Sequence, residues 1–410
     1  MMPRPYFPAA LAVLLIVSNA TAGEFPAFQS QTIDPHVGNV CYAVTTADVN
    51  GDGKPDVVAV AEDAVYWYEN PSWTKHVVIK DATERDNVCL QAQDVDGDGR
   101  VDFALGASWQ PSNTKTGGTL QILTRTGANE GKWRVVPIAT EPTLHRLRWG
   151  DVLGTGKPQL VVAPLQGRET KGPNWGAGKG VRLLVFSVPE KPFDLPWPVT
   201  VADESLHTTH NLQILDFDGD GKNEIVVAAW EGVFVVKRLG DRTWSRTRIG
   251  EGSQSSTPSK GSSEVKVGRL RDGSRYLATI EPWHGFQVVV YNQPKSGAGL
   301  WERRVVDEPL AWGHAVWCAD LDGDGDDELV IGQRDPSKDS SRTPKGPGLF
   351  VYDPRPASGS LSFERHVVDD GGVAVEDALA ADLDGDGRPE LIAGGRATHN
   401  VKIYWNRGSR

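Results

Sequence analysis

Nine-residue segments rich in aspartate carry the most legible chemistry in this chain. The last reads Asp382-Leu-Asp-Gly-Asp-Gly-Arg-Pro-Glu390, with oxygen side chains at positions 1, 3, 5 and 9 (Asp382, Asp384, Asp386, Glu390) and glycines at positions 4 and 6 (Gly385, Gly387). Calcium takes roughly six to eight hard oxygen ligands in flexible geometry, and alternate carboxylates with a glycine at a sharp turn offer such a cage. A short apolar run, residues 391–393, follows where an EF-hand would place a helix, so the loop is read as joining two strands. Four more segments carry the full set: Asp48/Asn50/Asp52/Asp56, Asp94/Asp96/Asp98/Asp102, Asp216/Asp218/Asp220/Glu224 and Asp320/Asp322/Asp324/Glu328. Two are worn, Asp151/Leu153/Thr155/Gln159 and Gly268/Leu270/Asp272/Tyr276; both keep the position-6 glycine and are read as the same turn without the ion.

Five intact loops predict about five structural calcium ions. They hold 19 of the 54 acidic side chains, and five such ions would bring the formal charge of −11 close to neutrality. The acidity therefore speaks of bound ions. No basic stripe with interleaved aromatics is present, which argues against a nucleic-acid partner.

A second constellation emerges when residues are sorted by their distance from each loop. Six positions before the loops stand Tyr42, Val88, His145, His210, Ser262, His314 and Glu376. Fourteen positions after the loop starts stand Glu62, Ser108, Leu165, Trp230, Pro282, Arg334 and Arg396, with Trp283, His284, Asp377 and His399 close in sequence. Equivalent positions in a closed ring of repeats converge on its axis. His145, His210, His314 and Glu376 are the candidate catalytic residues, either as acid–base groups for an elimination or as ligands of an additional transition metal that acidifies a proton beside a carbonyl. Trp230, His284, Arg334 and Arg396 are the candidate substrate residues: arginine for a carboxylate or oxyanion, tryptophan for the face of a sugar ring. A histidine opening a buried strand can equally be a satisfied core residue. No Ser–His–Asp or Cys–His nucleophile motif and no phosphate-cradling glycine loop is visible, so hydrolase and kinase readings gain no support.

The elements that must position these residues are short strands. The seven units start at Asp48, Asp94, Asp151, Asp216, Gly268, Asp320 and Asp382, spaced by 46, 57, 65, 52, 52 and 62 residues, the period of a repeat fold. Each unit holds four strands, A to D, with the aspartate loop between A and B. Strand D opens on an aromatic residue, at 73–79, 133–138, 197–201, 244–249, 301–306 and 363–368. A seventh copy lies at 28–33, ahead of the first A strand, while the chain ends on a C-type run at 401–405. The expectation is an all-β, seven-bladed β-propeller of four-stranded blades, the ring closed by the N-terminal strand pairing into the last blade. The longest B–C insertions, 109–119, 166–180 and 335–348, belong to the end opposite the aspartate loops, where binding is expected.

Residues 1–22 read as a secretory signal peptide, with Arg4, an apolar run at 9–17 and a small-residue site at Ala20-Thr-Ala22; the propeller occupies 23–410. That address is periplasmic or extracellular, and no other segment approaches a transmembrane helix. Cys41 and Cys89 lie at similar points of successive repeats; a bridge between them and three buried thiols including Cys318 both remain open.

The D-x-[DN]-G-D-G-x-x-[DE] units followed by apolar strands resemble the FG-GAP/VCBS repeats of calcium-binding propellers such as the head of integrin α-chains. The resemblance covers residues 25–410 and implies structural ions at one end of the ring. The segments 312–325 and 395–405 are similar to the propeller domain of the aldos-2-ulose dehydratase family, which eliminates water from a keto-sugar. That resemblance implies a carbohydrate-related carbon–oxygen lyase site at the channel mouth. The alternative is a non-catalytic, adhesion-type propeller holding a glycan or another exported protein on the same face.

Overall fold

The structure is a computed structural model describing residues 25–126, 132–194, 196–254, 259–295, 297, 299–338, 345–357 and 360–409. The segment read as a signal peptide lies outside the described residues. Twenty-eight strands among the described residues form seven separate four-stranded antiparallel sheets, the blades. No helix among the described residues is long and apolar enough to cross a membrane. Six blades take strands A to D in chain order. The seventh borrows its outer strand from the N-terminus: Phe28–Asp34 pairs antiparallel with Val401–Asn406, Phe28 opposite Asn406, closing the ring as expected.

The B strands explain why the blades stack. In the first blade all six residues of Asp56–Ala61 are buried. Val57 and Ala59 pack with Ile392 and Ile403 of the seventh blade, while Val58 and Val60 pack with Phe103 and Leu105 of the second. Successive side chains face opposite sides of a strand, so a strand sandwiched between two neighbours must be apolar on both. Each fully buried Val or Leu contributes roughly 1.5–3 kcal/mol, repeated around the ring.

The innermost strands are Cys41–Ala47, Cys89–Gln93, Leu144–Gly150, Leu212–Leu215, Glu264–Arg269, Gly313–Ala319 and Val375–Ala381. Four of them carry a β-bulge at the first turn of pairing. Leu144 pairs with Pro164 but Arg146 with Ala163, leaving His145 as the extra residue. Tyr42, His314 and Glu376 are the extra residues at the same place in the first, sixth and seventh blades. A bulge bends the strand and re-aims its side chains, which lets two adjacent residues reach the ring interior.

The fifth blade departs from the pattern by one residue. Elsewhere the residue before the loop pairs with position 9, as Ala47 does with Asp56 and Ala319 with Glu328; here Gly268 pairs with Tyr276. The worn turn is therefore one residue shorter, and the inner strand slides accordingly. Ser263, not Ser262, stands in register with His145, His210 and His314, and Glu264 aligns with Arg146, Asn211 and Asp377. The three cysteines are free thiols, so no bridge joins Cys41 to Cys89.

Candidate functional site

A cavity of about 240 Å³ opens at the end of the ring opposite the aspartate loops. Its lining includes His145, His210, His284, His314, Glu376, Arg334 and Arg396, with Tyr42, Trp109, Trp283 and Trp312 as aromatic walls. The bulges at Tyr42, His145, His314 and Glu376 aim those side chains into it. His284 reaches it from the connection between strands B and C of the fifth blade, with a left-handed backbone (φ 47°) that costs a non-glycine residue roughly 1–3 kcal/mol.

Three imidazoles meet at the centre. His210 Nε2 lies 2.7 Å from His284 Nε2, and one ring nitrogen from each of His210, His284 and His314 lies within 4.8 Å of the others. His314 Nδ1–H donates to the Glu376 carbonyl at 2.6 Å. His210 Nδ1 faces the Glu264 carboxylate at 2.7 Å. The His314 bond places its proton on Nδ1 and turns its Nε2 lone pair inward, the arrangement found behind metal-ligating histidines, and the Glu264 carboxylate beside His210 Nδ1 stands in the corresponding place. Burial lowers the pKa of His210 to about 4. Burial, aided by the surrounding positive charge, also holds His145 and His284 well below the usual imidazole range. Three imidazole nitrogens gathered in this way, with His210 and His284 held neutral, suit a transition metal such as zinc.

The gathered trio differs from the one expected. His284 takes the place that the repeat register assigned to His145. His145 stands one layer back, its ring 4.7 Å from that of His210 and stacked at 4.4 Å on Trp109. Glu376 binds Arg396 through Oε1 at 2.7 Å and lies 3.7 Å from His314 Nε2, while its Oε2 accepts no hydrogen bond among the described residues. Arg334 sits 4.6 Å above the Trp312 ring. Trp230 does not line this cavity; it packs beside Gly176 and Lys260. His399 also stays outside, bonding Asn39 O. The sequence reading missed Trp109, Trp312 and Glu264. Glu264 had a signal: four positions before the loop starts, the other six blades carry Val44, Leu90, Leu147, Leu212, Val316 and Ala378, all apolar.

At the opposite end the aspartate loops share one frame. Position 1 accepts the backbone N–H groups of both loop glycines: Asp382 Oδ1 from Gly385 at 2.8 Å, Oδ2 from Gly387 at 2.9 Å. Both glycines have positive φ, 79° and 84°, which disfavours any side chain there. Position 9 is buried and accepts the N–H of position 2, as Glu390 does from Leu383. Its second oxygen is the orphan. Oε1 of Glu328, Oε1 of Glu390 and Oδ2 of Asp322 are buried without a hydrogen-bond partner among the described residues. Burial raises Glu390 to about 7, Glu328 to about 9 and Asp102 to about 6, the condition of carboxylates that need a cation to stay ionised. Carboxylate oxygens of Asp94/Asp96/Asp102, of Asp216/Asp218/Glu224 and of Asp320/Asp322/Glu328 each fall within 4.8 Å of one another, so these donor sets fit a hard divalent cation.

Two loops carry contacts of their own. In the first, Asn50 and Asp52 are exposed and their Oδ1 atoms accept N–H groups of the turn, as Asp96 and Asp98 do in the second loop and Asp384 and Asp386 in the seventh. Asn50 Oδ1 accepts the Asp52 N–H at 3.0 Å, and Asp52 Oδ1 accepts that of Lys54 at 2.9 Å. The Asn50 amide nitrogen turns to Glu69, 3.5 Å away. The position-9 residue, Asp56, has both oxygens engaged, by the N–H groups of Val49 and Asn70, each at 2.8 Å. An amide oxygen brings no negative charge, so this loop collects one carboxylate fewer and has the weakest need of an ion. The fourth loop obtains a cation of its own. Lys237 Nζ lies 2.5 Å from Asp218, 2.8 Å from Asp220 and 3.2 Å from Glu224, so an ammonium stands beside the Asp216/Asp218/Glu224 donor set.

Comparison with known proteins follows the same division. The aldos-2-ulose dehydratase β-propeller domain matches residues 117–294, and the FG-GAP-like repeat matches residues 48–105. Both resemblances read from the sequence are thereby shown, although 312–325 and 395–405 lie outside the matched dehydratase stretch. The aldos-2-ulose dehydratase of Phanerodontia chrysosporium is 29% identical over 235 residues, 52% of this chain and 25% of that protein. The chain thus spans about a quarter of that relative's length. The extracellular domain assigned to a one-component system of B. thetaiotaomicron superposes with a TM-score of 0.51 at 10% identity, over 93% of this chain and 40% of that one. An Agrocybe aegerita lectin specific for non-reducing terminal N-acetylglucosamine gives 0.49 at 14% identity, over 89% and 85%. At such identities the likeness concerns the fold alone.

Proposed function

We propose that this chain is an exported, calcium-loaded propeller whose histidine-lined mouth removes water from a keto-sugar. The observation that carries this reading is the meeting of His210, His284 and His314 beside Glu376 in an aromatic-walled cavity. The dehydratase-matched stretch contains His145, His210 and His284. In the elimination a C–H bond beside the carbonyl and a C–O bond on the next carbon break, a C=C bond forms, and water leaves. Glu376 Oε2 takes the proton while Arg396 fixes Oε1. Trp109, Trp283 and Trp312 cover the apolar face of the ring, and Arg334 donates to a sugar oxygen from its seat over Trp312. A transition metal held by the three histidines, when bound, would polarise the carbonyl. The calcium ions belong to the second, sixth and seventh loops and, more weakly, to the first, where they brace the opposite end.

The test is incubation of the mature protein with aldos-2-uloses, followed by ultraviolet absorbance of the conjugated product. Glu376→Gln should lower kcat by about 10²–10⁴-fold with the thermal melt unchanged. Undiminished turnover in that variant would remove Glu376 from the chemistry. Glycan binding without turnover in the wild type would instead support the adhesion-type alternative.

A further inference from the structure

Beneath the mouth lies a second cavity of about 250 Å³, lined by residues from all seven innermost strands. It contains neither Glu376 nor the histidine trio, and Arg146 is the polar residue that it shares with the mouth. Two successive layers of the ring meet here. One holds Arg146, Asn211, Glu264 and Asp377; the next holds Gln91, Arg148, Gln213, Lys266 and Trp317. Three cations therefore face two carboxylates.

Asp377 is already engaged through both oxygens, and Glu264 through Oε2, its Oε1 accepting no hydrogen bond among the described residues. Asp377 accepts the N–H groups of Val44 at 3.0 Å and Ala378 at 3.1 Å. Glu264 faces His210 and accepts from Asn211. Arg146 lies 4.0 Å from Glu264. Arg148 donates to Leu147 O at 2.7 Å and Asn211 Oδ1 at 2.9 Å, leaving the rest of its fork unused. Lys266 is 6% exposed. Among the described residues its ammonium makes no hydrogen bond, resting only 4.3 Å over the Trp317 ring. A buried ammonium without a hydrogen-bonding partner is costly, and one more negative charge would balance the set.

We propose that this axial cavity binds a small carboxylate anion between Arg148 and Lys266. The planar guanidinium fork and the point charge of the ammonium take the two oxygens, and the amides of Gln91 and Gln213 line the remainder. The site also couples to protons. Burial and the Arg148 charge lower the pKa of Lys266 to about 7 against the pull of Glu264 and Asp377; Cys318, raised to about 12, stays a neutral thiol. Without an anion the amine loses its proton near neutrality; a bound carboxylate favours the ammonium. Affinity should be full below pH 7 and fall as pH rises through it.

Acetate is the probe and acetamide, of like shape without the charge, its control, titrated calorimetrically in chloride-free buffers of differing ionisation enthalpy. Wild type should bind acetate at pH 6 with almost no proton exchange, bind about tenfold more weakly at pH 8 while taking up close to one proton, and ignore acetamide. Lys266→Met should abolish acetate binding while melting no lower than wild type without ligand. Equal binding of acetamide, binding indifferent to pH, or no acetate binding at pH 6 would each overturn the proposal. If Lys266→Met fails to fold, Arg148→Gln replaces it, and retained affinity in that variant counts against the site.

Discussion

The fourth and sixth loops are written in nearly the same letters and are finished differently. Asp216 and Asp320 accept from their loop glycines at matching distances, 2.7 and 3.0 Å in both. Glu224 and Glu328 are both buried and both accept the N–H of position 2. The difference comes from strand C. The pairing of Ile225 with Val236 sets Lys237 opposite Glu224, and that of Leu329 with Tyr352 sets Asp353 opposite Glu328. In the fourth loop an ammonium enters the carboxylate cluster from strand C; in the sixth another carboxylate joins from strand C, and Arg271 of the neighbouring turn pairs with Asp324 at 2.5 Å. Burial raises Asp353 to about 6, with Asp322 and Asp324 adding repulsion and Arg355, 2.6 Å away, relieving part of it. Like charges gathered a few ångströms apart in a half-buried site call for compensating positive charge; Lys237 supplies it in the fourth loop, and Arg271 and Arg355 supply part of it at the edge of the sixth. The loop motif supplies oxygens; the facing strand decides whether an ion is required.

The largest effect expected from this contrast is on calcium removal. Chelation should lower the melting temperature by several degrees, at about 1 °C for each kcal/mol lost in a domain of this size. In chelator, stability should also fall as pH rises from the ordinary glutamate range through about 9: the folded state keeps a proton on Glu328 that the unfolded chain has released, and that advantage disappears once the folded carboxyl ionises. Scanning calorimetry with and without EDTA across that range checks both, and a melt indifferent to verified metal removal would break the comparison. Next in size is Lys237→Met. It should melt lower than wild type in chelator, recover with calcium, and raise bound calcium from four ions per chain to five by elemental analysis after dialysis. A wild-type count of five would mean that Lys237 leaves the loop, whereas a count of zero would remove the calcium reading altogether. The smallest effect is that of Asp353→Asn, which should weaken the tightest calcium step about tenfold, or ~1.4 kcal/mol, without changing the count. Calorimetric titration of the stripped protein reads it.

Much of the architecture was legible because its causes are local. The glycines of the aspartate turns, the apolar B strands and the aromatic start of strand D each record a short-range requirement, and their repetition supplied the blade number and the closing strand. The candidate site was legible in part. His145, His210, His314 and Glu376 share a repeat position, and they do converge at one mouth. His284 was visible as a neighbour but not as a member of the trio, because it arrives on a connection held in a left-handed conformation rather than on an inner strand. Trp230 misled for the opposite reason: a correct repeat position does not fix the direction of a side chain at a strand's end.

From the sequence alone follow the seven units and the position-1 aspartates of six of them, since each depends on residues within a few positions of one another; the closing strand follows from a spare D-type run at one end and a missing one at the other. Only the tertiary structure decided that the fifth inner strand slides by one residue, bringing Glu264 and Lys266 into the axial layers. It alone showed that bulges carry His145, His314 and Glu376 into the mouth, and that Lys237 and Asp353 face otherwise similar loops. The physical reason is register. A strand presents alternate residues to opposite faces, so one inserted or missing residue redirects every side chain beyond it, and which partner then stands opposite is settled by pairing between distant segments.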